Sequence, residues 1–211
     1  GLPQHRRQSA SLYGARLGEG ILQELNTHLP ENLAELDDNA VEQFARQAQV
    51  IVAAFKSGAA VSANAVMGGF DTHGNHNSTH TLRLSRLLQG LDYLYEEIDR
   101  QGLSELVYVV VGSDFGRTPY YNDNNGKDHW GTSSMMASGP GITGNRVVGA
   151  TDGGFNHLHL DPITLDVVAE GGLVLEPKHI HASLRTKLGI ANHEYSQAFE
   201  VFGQVLPGLF V

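Results

Sequence analysis

The sequence predicts an α/β fold, a partly parallel sheet flanked by helices. Two amphipathic stretches and one unbroken apolar run carry that expectation. Val41, Phe44, Ala45, Ala48, Ile51, Val52 and Phe55 recur at helical spacing, as do Leu84, Leu87, Leu88, Leu91, Leu94, Tyr95 and Ile98. Leu106 to Val111 is apolar throughout, as a strand buried on both faces of a parallel sheet requires.

The elements follow in order. Residues 1–36 read as an irregular arm with a short helix near Gly20 to His28, stopped before Pro30. Asp37 or Asp38 can cap the next helix and Gly58 can end it. Ala59 to Val66 reads as a strand running into the Gly68–Gly69 turn. The second long helix ends before Gly102, and a strand–helix–strand order predicts a right-handed crossover. Ser133 to Ser138 and Arg146 to Val148 are expected as further strands. Pro177 opens a last helix that Gly189 closes. The apolar tail from Phe199 to Val211 is expected to pack as a closing strand or turn. With 211 residues and no internal repeat, residues 1–211 are expected as one domain.

Composition narrows the function. Hydrophobic residues make up 41% and charged residues 18%, an ordinary globular balance. A formal net charge of -9 argues against a nucleic-acid partner. No apolar run reaches the roughly 18–20 residues of a membrane span. Arg6–Arg7 lacks the apolar stretch that would make it an export signal. Cysteine is absent, which leaves His, Asp and Glu as metal ligands.

Ligands of parallel α/β sheets bind beyond the carboxyl ends of the strands. Gly68-Gly-Phe-Asp71-Thr-His73-Gly-Asn-His76 follows one predicted strand, and Ser113-Asp114-Phe-Gly-Arg117 follows another. A third polar group, Lys127-Asp128-His129-Trp130, precedes the third. If that loop folds over the same edge, Asp71, His73, Asp114 and His129 converge. Carboxylates and imidazoles suit zinc, manganese or iron, and a carboxylate-rich position suits magnesium or calcium. Arg117 offers a planar fork for phosphate or sulfate oxygens. Asp128 can orient His129 or bind metal itself. Each residue also has a plain structural role open to it. Asp71 and Asp114 can cap turns, His73 and His76 can bond within a loop, Arg117 can be a surface ion-pair partner, and His129 can pack beside Trp130. His157 and His159 read as part of a polar loop, and His181 as a half-buried core histidine.

Together, Gly68-Gly-Phe-Asp-Thr-His73, Ser113-Asp-Phe-Gly-Arg-Thr118, Asp128-His129, Gly139-Pro-Gly-Ile-Thr-Gly and Leu188-Gly189-Ile190 resemble the bacterial domain of unknown function 1501. The resemblance spans roughly residues 40–211. That family looks like a branch of the alkaline phosphatase and sulfatase superfamily, and many of its members carry a twin-arginine export signal. The resemblance therefore implies an alkaline-phosphatase-like fold, a periplasmic or exported protein and a divalent metal, zinc first and manganese, magnesium or calcium as alternatives. Asp71, His73 and His129 would hold one ion, and Asp114 would serve a second. Phe115 stands where the superfamily usually has a histidine, and Asp114 where family members commonly have Glu. The family's first strand and the region of the superfamily's Ser or Thr nucleophile have no match in this chain, which implies a fragment or a reduced form. The expected function is metal-dependent hydrolysis of a small phosphate or sulfate ester. The rival is a non-catalytic metal-binding or structural domain of an exported protein, and a metal-free α/β domain is the third reading.

Overall fold

The computed structural model describes residues 18–210. Arg6, Arg7, the first half of the expected arm and Val211 lie outside the described residues. The chain clusters into two compact units. Unit 1 takes in the residues up to Val107 and Tyr121–Asp128; unit 2 comprises Tyr108–Tyr120 and the chain from His129 onward.

Unit 1 is helical. Helix α1 covers residues 18–28 as far as it is described, ending before Pro30 as expected. Helix α2 spans Asn39–Lys56 and α3 spans His76–Arg100. Their apolar stripes meet: Val41, Phe44, Ala45, Ala48 and Val52 of α2, with Leu91, Leu94 and Ile98 of α3, form the core. Gly90 makes room for the Phe44 ring, since a Cβ there would stand 2.8 Å from it. The buried Gln49 side chain is bonded at both ends. The Gln49 amide oxygen accepts from the Ala34 N–H at 2.8 Å, and its nitrogen donates to the Tyr93 hydroxyl at 2.8 Å.

Asp38 caps α2, one carboxylate oxygen accepting from the amides of Ala40 at 3.0 Å and Val41 at 3.3 Å. Its other oxygen accepts from Arg86 Nε of α3 at 2.7 Å. Burial pushes this carboxyl up, but Arg86 and the two amides outweigh it and hold Asp38 below the usual carboxylate range. The left-handed Gly58, at φ 73°, lets the chain leave the end of α2.

Unit 2 is built of short antiparallel pairs. β1 (Val109–Val111) pairs with β4 (Met136–Ser138), β2 (Gly116–Arg117) with β3 (His129–Trp130), and β5 (His159–Leu160) with β6 (Val167–Val168). Helix α4 spans Pro177–Lys187, with Pro177 in its first turn, and α5 spans Glu194–Ala198. Leu160, Leu165, Ala182, Leu206 and Phe210 are buried. The tail is fastened to α4: Ser183 Oγ donates to the His179 carbonyl at 2.7 Å and accepts from the Leu206 N–H at 2.9 Å.

The elements are therefore α and β, but every ladder among the described residues is antiparallel and two-stranded, and no parallel sheet forms. Ala59 to Val66 forms no strand. Val61 is 97% exposed, and the Gln47 side chain rather than a neighbouring strand bonds both the N–H and the carbonyl of Val66. The apolar run from Leu106 yields a strand only at Val109, because Leu103 to Val107 is spent on a turn and Leu106 is 71% exposed. Residues 146–148 form no strand either; Arg146 instead donates to the carbonyls of Gly208 and Leu209. His181 is exposed and His179 is the buried histidine of α4, because the inward face runs through His179, Ala182 and Ser183.

Two outcomes follow from this packing. Phe44→Ala is expected to cost about 3–5 kcal/mol, read as a lower urea midpoint. A carboxyl held low stabilises the fold above its unfolded pKa, and that stability is lost as pH falls through the folded value. The stability gap between the wild type and Asp38→Asn, measured by urea titration, should therefore shrink between neutral pH and about pH 2.

Candidate metal centre

The unit 1 residues that could carry chemistry sit on two loops laid side by side, 69–75 and 121–128. Gly69, at φ 93°, turns the chain into the first, and Asn75, at φ 48°, delivers it to the start of α3. The second loop is bonded along the first. Lys127 N–H donates to the Thr72 carbonyl at 3.1 Å, and His76 N–H donates to the Asn125 carbonyl at 2.9 Å. Gly126 lies so close beneath His73 that a Cβ would stand 2.0 Å from the His73 carbonyl. Only glycine fits there.

Asn122 locks this contact with four hydrogen bonds. Its amide oxygen accepts from the N–H groups of Asn124 at 3.0 Å and Gly126 at 2.9 Å. Its amide nitrogen donates to the His73 carbonyl at 3.1 Å and to Asp128 Oδ1 at 2.9 Å.

His73 is thereby set between two carboxylates. Its Nδ1 lies 2.8 Å from Asp128 Oδ1 and its Nε2 lies 3.0 Å from Asp71 Oδ1. A carboxylate only accepts, so the single proton of a neutral ring serves one of the two, Asp128 through Nδ1 or Asp71 through Nε2. The other ring nitrogen then turns its lone pair toward an anionic oxygen. A second proton or a metal cation between Nε2 and Asp71 removes the conflict. Two ligands bonded to one ion at about 2.0–2.2 Å stand roughly 3 Å apart, which matches the observed separation. Asp128 holds the ring at its Nδ1 side, whereas the sequence offered it as an orienting partner of His129 or as a metal ligand itself.

His76 and Thr72 stand beside this cluster. The Thr72 hydroxyl, on a buried residue, lies 2.6 Å from His76 Nδ1, and the His76 ring stacks on His80 at 4.5 Å. His80 escaped the sequence reading, although its spacing of four from His76 on a helix was a usable signal. Asn122 carried none, because nothing in a Tyr-Asn-Asp-Asn-Asn run marks the amide that closes the loop.

Unit 2 gathers a second group. The β2–β3 register sets Arg117 opposite His129. The Phe115 ring stacks on the His129 imidazole at 3.7 Å, and the Arg117 guanidinium lies 5.7 Å from the Phe115 centroid. Gly116 is required here too, since a Cβ would stand 1.9 Å from the Thr132 carbonyl oxygen. Asp114 stands exposed on the bend before β2 and takes no part in this stack. The Ser113 hydroxyl donates to the Phe115 carbonyl at 3.0 Å and that of Thr118 to the Tyr120 carbonyl at 2.8 Å.

A family model described as a protein of unknown function, DUF1501, matches residues 22–199. The chain belongs to this family. No curated protein and no solved structure matches it. The DUF1501 match takes in the Asp71–His73 loop, the Asn122 loop and the His129 strand alike.

Removing Asn122 tests the construction of the centre. In Asn122→Ala the amides of Asn124 and Gly126 lose their acceptor, and hydrogen exchange at both should speed up by at least about tenfold. Unchanged protection would show that the loop is held by other means.

Proposed function

We propose that this DUF1501 protein binds a divalent cation, zinc in the first instance, through Asp71, His73 and His129. In this reading it hydrolyses a phosphate or sulfate ester, in the manner of the alkaline phosphatase and sulfatase superfamily. The observation that carries the proposal is the His73 ring, with one carboxylate orienting Nδ1 and another facing Nε2 at 3.0 Å. Asp71, His73 and Asp128 have side chains 68%, 46% and 52% exposed, and ion pairs so exposed add little stability. Stability alone gives no reason to crowd two carboxylates onto one imidazole. Cation binding does.

The third donor rests on the family resemblance: it would be His129, an exposed imidazole backed by Phe115. One carboxylate with two imidazoles is a donor set that suits zinc and leaves coordination positions for water or substrate. When bound, the ion supplies positive charge to ester oxygens and acidifies its water. Arg117, opposite His129 on the ribbon, contributes a fixed planar fork for the remaining anionic oxygens. Asp114 is the carboxylate left to serve a second cation.

A non-catalytic cation-binding domain is the second reading. It is favoured by the Ser113 hydroxyl beside Asp114, which donates to the Phe115 carbonyl, where an activated nucleophile would be paired with a base.

Elemental analysis tests the metal, and an ester assay separates the two readings. The purified chain should carry near-stoichiometric zinc or take it up. Asp71→Ala combined with His129→Ala should abolish uptake, and Asp128→Asn should weaken it about 10–100-fold. Unchanged metal content in the double variant overturns the assignment. Chelator-sensitive hydrolysis of 4-nitrophenyl phosphate or sulfate supports the enzyme; a loaded but inert protein supports the binding domain.

A further inference from the structure

Unit 2 holds a shallow open cleft of about 440 Å³, lined by Trp130, Thr132, Phe155, Asn156, His157 and Val174. That volume falls within the roughly 300–1,000 Å³ of small-molecule sites. Trp130 is the residue of β3 that follows His129. Alternation along a strand directs the two side chains to opposite faces, so the cleft is separate from the His129 imidazole. The indole is half-buried and braced edge-on by Tyr120 at 6.1 Å between centroids.

The facing wall is a strained turn. Phe155 has φ 63°, a conformation a bulky side chain rarely adopts. Asp152 imposes it. Its carboxylate accepts from the N–H groups of Gly154 at 2.8 Å and Asn156 at 2.9 Å, and its carbonyl accepts from Phe155 N–H at 3.0 Å. The strain gains no burial, because Phe155 remains 50% exposed. What the turn achieves is to hold a second aromatic ring outward at the edge of the cleft that Trp130 lines. Strain kept without a packing return points to function.

The polar groups in the lining are a hydroxyl, an amide and an imidazole, all with hydrogen-bonding capacity. Thr132 Oγ1 and His157 Nε2 lie 3.2 Å apart, and Asn156 adds an amide. No Asp, Glu, Lys or Arg lines the cleft. A wholly apolar ring would use the aromatic faces and none of the polar groups. A saccharide ring matches both parts of the lining: its C–H face stacks on an aromatic ring, and its hydroxyl rim meets the hydroxyl, amide and imidazole. The openness of the cleft allows that ring to be one unit of a longer glycan.

We propose that this cleft is a carbohydrate-binding site, independent of the metal centre, with Trp130 and Phe155 as its stacking platform. Trp130 is the only tryptophan of the chain, so its fluorescence reports occupancy directly. The whole chain would be titrated with cellohexaose, chitohexaose and laminarihexaose, and with phenol as an aryl control, each with and without EDTA. A saturable shift in emission is expected with at least one oligosaccharide, unaffected by EDTA. Phe155→Ala, which removes an exposed ring rather than a core one, should raise that Kd about tenfold, the upper range for a single aromatic contact. The proposal is overturned if no oligosaccharide shifts the emission at millimolar concentration, or if phenol alone does. It is overturned equally if Phe155→Ala binds as well as the wild type, or if EDTA abolishes binding.

Discussion

The amide of Asn122 ties together the two loops of the candidate centre. With its oxygen on the N–H groups of Asn124 and Gly126, it curls residues 122–126 into a compact turn. With its nitrogen on the His73 carbonyl and Asp128 Oδ1, it fixes that turn against the other loop. The missing side chain of Gly126 permits the approach, and the position of Asp128 follows from it. Asp128 in turn fixes the His73 ring, and the ring determines what faces Asp71. A site assembled from loops needs such a support, because loop backbone has no ladder of its own to keep a ligand atom in place.

Helices α1 to α4 were legible because helical order is local, while the five-residue α5 was not anticipated. Asp38 as cap, Gly58 and Gly102 as ends, Pro177 in a first turn and the spacing of three and four along α2 and α3 are all read within a few residues of where they act. Strands are different, since an apolar run becomes a strand only if another segment pairs with it. Val61 and Val66 look like strand residues in isolation, yet the chain spends the Val66 backbone on the Gln47 side chain. The Leu106 run is divided between a turn and three strand residues, and the partner it finds, Met136–Ser138, runs antiparallel. A parallel crossover was inferred from element order, and that order is equally consistent with what forms here.

The candidate centre was legible in part for the same reason. Asp71 and His73 are two apart on one turn, so their proximity could be anticipated from spacing. The pairing of His73 with Asp128 crosses 55 positions of sequence, and no local pattern distinguishes it from a pairing of Asp128 with its neighbour His129. Asn122 and Gly126 were invisible because their roles depend on how closely two loops approach.

The charge balance of the His73 cluster connects its structure to chemistry. Two carboxylates share one imidazole, so the cluster holds more negative than positive charge even with the ring protonated, in a chain of net charge -9. At this exposure water screens the repulsion, which makes the arrangement tolerable, though still without a benefit to folding. His73 and Asp128 are nevertheless held by an asparagine with every polar atom engaged, and the loop of His73 by a glycine that no other residue can replace without moving the backbone. Rigid support for a group that contributes little to stability is the expected signature of preorganisation. Under the proposed cation-binding function, the cost of bringing like charges together would be met during folding, and the ion would enter a gap between Nε2 and Asp71 that is already formed.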